Sequence, residues 1–204
     1  MESLDSLECL SEKSLSILEE AKKEFASKGF YEASVDTIAA NAGVGKGTVY
    51  RHFGDKDSLF FAVFQHSFKT YVESMSRKER KADFKSNLKE MYYEMVEEIY
   101  ENIGLVKLVF HQFSKMLTED NHLKSFKAMM FEKEIEIFRK IVICAIENKE
   151  LRGDLDIAQA TFFLWEQSAM IPRNILILQM PKEKAYEHFE FVINTIYEGF
   201  KRRD

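Results

Sequence analysis

Apolar residues recur at the helical period along almost the whole chain. From Lys13 to Lys28, Leu15, Leu18, Ala21 and Phe25 are spaced by 3, 3 and 4, with Ile17 beside them. Gly29 follows and predicts a stop. Ser34 is placed to cap a short second helix, Val35 to Asn41, with Asp36 in its first turn to suit the positive helix end. Ala42-Gly43-Val44 predicts a tight turn. A third short helix is expected from Gly45 to His52, ended by Phe53-Gly54. Asp55 then caps a longer helix from Lys56 to Ser76.

The stretch Ser76 to Asp83 is almost wholly polar and predicts a domain boundary or a solvated helix end. Beyond it, Phe84, Leu88, Met91, Met95 and Ile99 recur at spacings of 4, 3, 4 and 4. Gly104 predicts a break, followed by a helix over Leu105 to Leu117 and a turn at Glu119-Asp120-Asn121. A long helix is expected from His122 to Asn148, and Leu151 to Asp156 reads as a connection. One further helix is expected from Ile157 to Gln179, with Pro172 inside it to kink or break it. The last runs from Lys182 to Lys201 behind Pro181. No strand-period segment appears. The expected fold is all-α, with an acidic tail over 1–12, a helix-turn-helix domain with its connecting fourth helix over 13–78, and a helical bundle over 79–204.

Composition narrows the reading further. Only 8 Gly and 2 Pro occur in 204 residues, too few for a turn-rich β protein. No apolar run reaches the roughly 20 residues of a membrane span. Met1 to Glu12 carries four acidic residues and no Lys or Arg, unlike a secretory signal. Cys9 and Cys144 form neither a disulfide framework nor a zinc site. The expected compartment is the cytoplasm, with no membrane contact. Net charge is −5, so a nucleic-acid contact would have to come from a small patch. Residues 44–56 supply one, with Lys46, Arg51 and Lys56 against Asp55.

That patch lies on the segment Thr37 to Phe53. Two short helices joined by a three-residue turn containing Gly make a helix-turn-helix. Ala39 is small where the helices cross, and Gly43 suits a left-handed turn. Ile38, Val44, Val49 and Phe53 supply a small core. With Val49 inward, steps of about 100° per residue turn Gly47, Thr48, Tyr50 and Arg51 outward, with Lys46 and His52 at the flanks. Such a face, with hydrogen-bonding groups, positive charge and no bulky aliphatic residue, suits a helix lying in a major groove.

Residues 13–58 resemble the DNA-binding domain of the TetR family of bacterial transcriptional regulators. The resemblance rests on Phe25, Gly29, Thr37-Ile38-Ala39, Ala42-Gly43-Val44, Lys46-Gly47-Thr48-Val49-Tyr50-Arg51-His52-Phe53, Lys56 and Leu59. It implies a homodimer that binds a pseudo-palindromic operator in double-stranded DNA. It also implies a variable helical domain whose small-molecule effector alters the spacing of the DNA-reading heads. Repression is the family's common mode. Resemblance and chemistry together make Lys46 and Thr48 base-edge readers, and Tyr50, His52 and Lys56 phosphate contacts. Ser34, at the start of the second helix, joins the expected DNA-contacting set. Gly47 reads as a point of close backbone approach. Gly45 reads equally as that or as a residue tolerated in a first helical turn, and Arg51 equally as a contact or a solvated charge. The acidic first twelve residues depart from the basic arms of many members and argue against a minor-groove arm.

In the second domain most of the many aromatics read as core. Tyr92, His111, Phe131 and Trp165 are the candidates for lining an effector pocket. Because aromatics and methionines dominate the inward positions, the expected effector is largely apolar or aromatic, neutral or weakly charged. The resemblance implies a dimer surface from the last two helices, paired with their symmetry mates as a four-helix bundle, and the stripe Phe189, Val192, Ile193, Ile196, Tyr197 and Phe200 fits it. An enzyme was weighed and set aside. A di-metal carboxylate bundle needs Glu-x-x-His twice, and Glu119-Asp120-Asn121-His122 supplies it once. No cofactor and no metal are expected. The rival reading is a helical interaction module whose helix-turn-helix is architectural and does not read DNA.

Overall fold

The computed structural model describes residues 10–78, 83–116 and 121–202, and their side chains apart from those of 111–130. Ten helices occur among these residues: α1 Glu12–Glu32, α2 Val35–Asn41, α3 Lys46–Phe53, α4 Lys56–Arg77, α5 Phe84–Glu101, α6 Ile103–Met116, α7 Asn121–Glu147, α8 Ile157–Ala169, α9 Ile171–Ile177 and α10 Lys182–Phe200. The β structure among the described residues is a single antiparallel bridge, Leu151 to Lys201. The acidic residues before Leu10 and the Glu119-Asp120 pair lie outside the described residues, as does much of the polar stretch before Asp83.

The helices gather into two units. One holds the chain up to Tyr71 together with α6. The other holds the chain from Val72 through α5, and α7 from Ala128 through α10. The sequence placed a single boundary near residue 78. The difference arises because α6, distant in sequence, packs on α1. The contact is close: a β-carbon at Gly104 would stand 2.4 Å from the Ala26 carbonyl oxygen. Gly104 is thus not the break between α5 and α6, which falls at Asn102, but a point where two helix backbones approach.

The first unit has one core. Ile17, Leu18, Ala21 and Phe25 of α1 meet Ile38 and Ala39 of α2, Val49 of α3, Leu59, Phe60 and Val63 of α4, and Leu105 of α6. Ser14 takes an inward place on α1, whereas Leu15 is 36% exposed. Gly29 adopts φ 77° and interrupts α1, and Asp55 caps α4 by accepting from the Ser58 N–H at 2.7 Å.

In the second unit α10 packs lengthwise on α5. Phe84, Leu88, Met91, Tyr92, Val96 and Ile99 of α5 are buried, as are Ala185, Phe189, Ile193 and Ile196 of α10. The Tyr93 hydroxyl donates to Glu190 at 3.0 Å, and Lys89 pairs with the same carboxylate at 2.7 Å. The helix expected over 157–179 is divided at Met170 into α8 and α9, with Pro172 in the first turn of α9. There its missing N–H costs no hydrogen bond.

The Gly104 contact generates a stability prediction. Gly104→Ala should lose about 1–3 kcal/mol, because a backbone rather than a flexible side chain must move. Urea unfolding measures it; an unchanged midpoint would mean that α1 and α6 are not held at this distance.

Candidate nucleic-acid interface

The helix-turn-helix is built locally. Ser34 caps α2 by accepting from the Thr37 N–H. The turn after α2 closes through Gly43 N–H to the Ala40 carbonyl at 3.2 Å and Val44 N–H to the Ala39 carbonyl at 2.9 Å. Gly43 holds φ 67°, a conformation that costs a residue with a β-carbon roughly 1–2 kcal/mol.

Val49 is the residue of α3 that is buried. Its burial turns Lys46, Gly47, Tyr50, Arg51 and His52 outward, all exposed, while Thr48 is half-buried beside them. A β-carbon added at Gly47 would meet nothing within 4 Å, and the same holds at Gly45. Neither glycine is therefore demanded by packing inside the protein. Gly45 is the N-cap of α3 without a side-chain capping bond.

Lys46, Lys56 and His52 have partners within the unit. The Lys46 ammonium pairs with Asp36 of α2 at 2.7 Å, and both groups are exposed. That hydrogen bond raises the lysine's pKa above its ordinary value. Lys56 is half-buried. Its ammonium donates to the Tyr31 carbonyl at 3.1 Å and lies 5.1 Å from the Phe30 ring centre. The Ser14 hydroxyl is 3.1 Å from His52 Nδ1, and the Ser11 hydroxyl lies 3.0 Å from that of Ser14. These contacts tie α3 and the start of α4 back to α1 and its flank.

Glu24 is a positioning residue that the sequence reading passed over. It is 7% exposed. Its carboxylate accepts from the Lys28 ammonium at 2.9 Å and from the Ser34 backbone N–H at 3.0 Å. The Lys28 bond first, and the Ser34 bond second, hold its pKa below the ordinary carboxylate range. It thereby fixes the start of α2 to α1. The signal was present: Glu24 lies three residues after Ala21, at an inward place in an apolar stripe.

Other expected residues are placed differently. Phe189, Ile193 and Ile196 are buried inside their own unit, against α5, and are unavailable to a second chain; Val192, Tyr197 and Phe200 are half-buried. The exposed aromatics of α8 and α10 are Phe162, Phe163 and Phe191, the last 69% exposed. Tyr92 is wholly buried, with its hydroxyl donating to the Leu164 carbonyl at 3.2 Å. Phe131 and Trp165 do come together, their rings 4.7 Å apart and edge to face. The His111 side chain lies outside the described residues. A cavity of about 550 Å³ in the second unit is lined by Met75, Asn87, Lys133, Ile137, Lys140 and Cys144 among others, and by none of Tyr92, Phe131 and Trp165. No group of three or more metal-ligating side chains occurs among the described residues.

Residues 17–63 match the family model described as bacterial regulatory proteins, tetR family. The HTH-type transcriptional regulator SAB2452 of Staphylococcus aureus (strain bovine RF122 / ET3-1) is 39% identical over 75 residues, covering 37% of this chain and 40% of that protein. The regulator SAR2658 of Staphylococcus aureus (strain MRSA252) is 29% identical over 122 residues, covering 60% and 62%. The match thus spans less than two thirds of these relatives. Among solved structures, a TetR transcription regulator from Haloarcula marismortui has a TM-score of 0.77 at 16% identity, over 95% of this chain and 100% of that one. FadR from Bacillus subtilis, crystallised in complex with stearoyl-CoA, has a TM-score of 0.65 at 19% identity, over 90% and 95%. The chain is an all-α protein with a helix-turn-helix domain. Residues 17–63, which hold that domain, match the tetR-family model, and the relatives matched over it are HTH-type transcriptional regulators.

The Glu24 arrangement predicts a pH dependence. A carboxyl depressed in the folded state stabilises above its unfolded pKa, and this is lost as pH falls through the folded value. Glu24→Gln should therefore cost about 1–2 kcal/mol near pH 7 and much less near pH 3. Urea midpoints at the two pH values measure this. An equal cost at both would mean that the glutamate's charge plays no part.

Proposed function

We propose that the chain is a DNA-binding transcriptional regulator of the cytoplasm, a repressor that lays α3 in the major groove of a pseudo-palindromic operator. The observation that carries this reading is the outward face of α3. One buried valine leaves Lys46, Gly47, Tyr50, Arg51 and His52 exposed together, and the open space at Gly47 suits close approach to DNA. Lys46 and half-buried Thr48 are the base readers. Tyr50, His52 and Lys56 contact phosphates, with Ser34 and Arg51 at the edge of the interface. The Lys46–Asp36 pair would open on DNA, a small cost for an exposed ion pair. An architectural helix-turn-helix would have no need of this exposed basic and polar face.

Two heads are needed for an operator with two half-sites about 34–36 Å apart, and each chain has one, so the regulator acts as a homodimer. We assign the dimer surface to the exposed apolar side chains of α8 and α10, Phe163 and Phe191, in place of the buried stripe. The second unit binds a small effector with an apolar or aromatic body. Binding releases DNA, provided that the effector favours the DNA-incompetent form, since equal affinity for both forms shifts nothing.

Gel shifts on DNA from upstream of the protein's own gene test the reading. Lys56→Ala should weaken binding to every sequence alike and lower the salt slope by about 1. Thr48→Ala and Lys46→Ala should also change which base is preferred. Equal losses on all sequences for both classes would contradict the division between readers and positioners. Gly47→Leu should leave stability within about 1 kcal/mol of the native chain and yet abolish specific binding.

A separate prediction concerns assembly. Light scattering should find the native chain at twice 23.9 kDa and Phe191→Glu as a folded monomer. Native protein that is monomeric at micromolar concentration would remove the homodimer from the account.

A further inference from the structure

The charged residue of the second unit that its surroundings least explain is Glu134. It sits on α7 between Phe131, three residues before, and Phe138, four residues after. It is half-buried, and its Oε2 accepts from the Trp165 indole N–H at 2.9 Å. Phe131 meets Trp165 edge to face, with ring centres 4.7 Å apart. The Phe162 ring centre lies 5.6 Å from that of the same indole. No Lys, Arg or His pairs with Glu134 among the described residues, although eleven other ion pairs are recorded there. Burial raises the carboxyl's pKa, and the indole hydrogen bond opposes this only in part.

A carboxylate partly withdrawn from water gains from an opposite charge, and the Trp165 indole, with Phe131 and Phe162 packed on it, supplies none. They supply the negative faces that attract a cation. One neutral donor, one missing cation and an aromatic wall are complementary to a single chemical class. Phe162 is 42% exposed, so the cluster reaches the surface of the unit at its edge.

We infer that Glu134, Trp165, Phe131 and Phe162 form a binding site for an organic cation, a quaternary ammonium or protonated amine carried on an apolar or aromatic body. The ammonium sits against the Glu134 oxygen not used by the indole, and the rings surround its methyl or methylene groups. As an effector site this rests on the regulator reading above. It names the charge of the effector, which the sequence led us to expect neutral or weakly charged. The difference from that expectation comes from Glu134, whose register with Phe131 and Phe138 the apolar pattern alone does not bring out.

Trp165 is the one tryptophan of the chain, so its fluorescence reports the site directly. The probe is benzyltrimethylammonium. It is compared with neopentylbenzene, the neutral molecule of the same shape, and with phenylacetate, an anion on the same ring. We expect saturable quenching by the cation, with affinity at least tenfold above that for either comparison compound. Glu134→Gln should weaken the cation about tenfold and leave the neutral compound unchanged. Phe162→Leu, at an exposed position, should weaken the cation severalfold with the fold intact by circular dichroism. Equal affinity for cation and neutral compound on the native protein would overturn the inference whatever the variants do. So would a folded Glu134→Gln that binds the cation as the native chain does. Gel shift of the unliganded protein is scored separately. DNA binding without cation binding overturns this site alone, and cation binding without DNA binding overturns the regulator reading alone.

Discussion

The whole outward face of α3 depends on the burial of Val49. An eight-residue helix has little stability of its own, since isolated helices need roughly 12–15 residues to persist in water. α3 exists because one side chain on it is inserted among residues of the core shared by α1, α2, α4 and α6. That insertion also decides orientation, because fixing one residue of a helix fixes the direction of all the others. The exposed set Lys46, Gly47, Tyr50, Arg51 and His52 is the complement of Val49 and not an independent feature. Gly43 lets the chain turn sharply enough for the insertion, and Glu24 holds the beginning of α2 where the turn needs it.

A second constraint follows from the first. A small domain with a single core must keep that core closed while presenting a polar face, and the protein meets this with polar ties at the rim. Glu24 to Ser34, Ser14 to His52 and Lys56 to the Tyr31 carbonyl each join α1 or its flank to the reading elements. They are worth little apiece in free energy and much in position, because each is a short directional bond. Lys46, held by Asp36, is oriented in the same way before any DNA is present.

Much of this was legible in the sequence. The second helix begins and ends where its cap and its Ala-Gly-Val turn placed it, and the outward face of the third follows from choosing Val49 as its inward pole. Periodicity failed where it was asked a question it cannot answer. It showed that α10 has an apolar stripe, but not what covers it. Phe189, Ile193 and Ile196 are covered by α5 of the same chain, and the exposed aromatics lie off the stripe. It read Gly104 as a break because Gly weakens helices, whereas the residue serves a backbone contact formed only by tertiary packing. The apolar pattern runs on through Met170, and it was Pro172 that marked the division between α8 and α9. Periodicity passed over Glu24 and Glu134, although the one is buried and the other half-buried.

The central claim is that the outward face of α3 reads base sequence. Selection from a random duplex library on the purified full chain tests it most directly. The account predicts enrichment of one two-fold symmetric sequence whose half-sites are centred about one helical turn apart. Retention of duplexes without a common sequence, all released alike by modest salt, would contradict it, since phosphate contacts alone give binding of that kind.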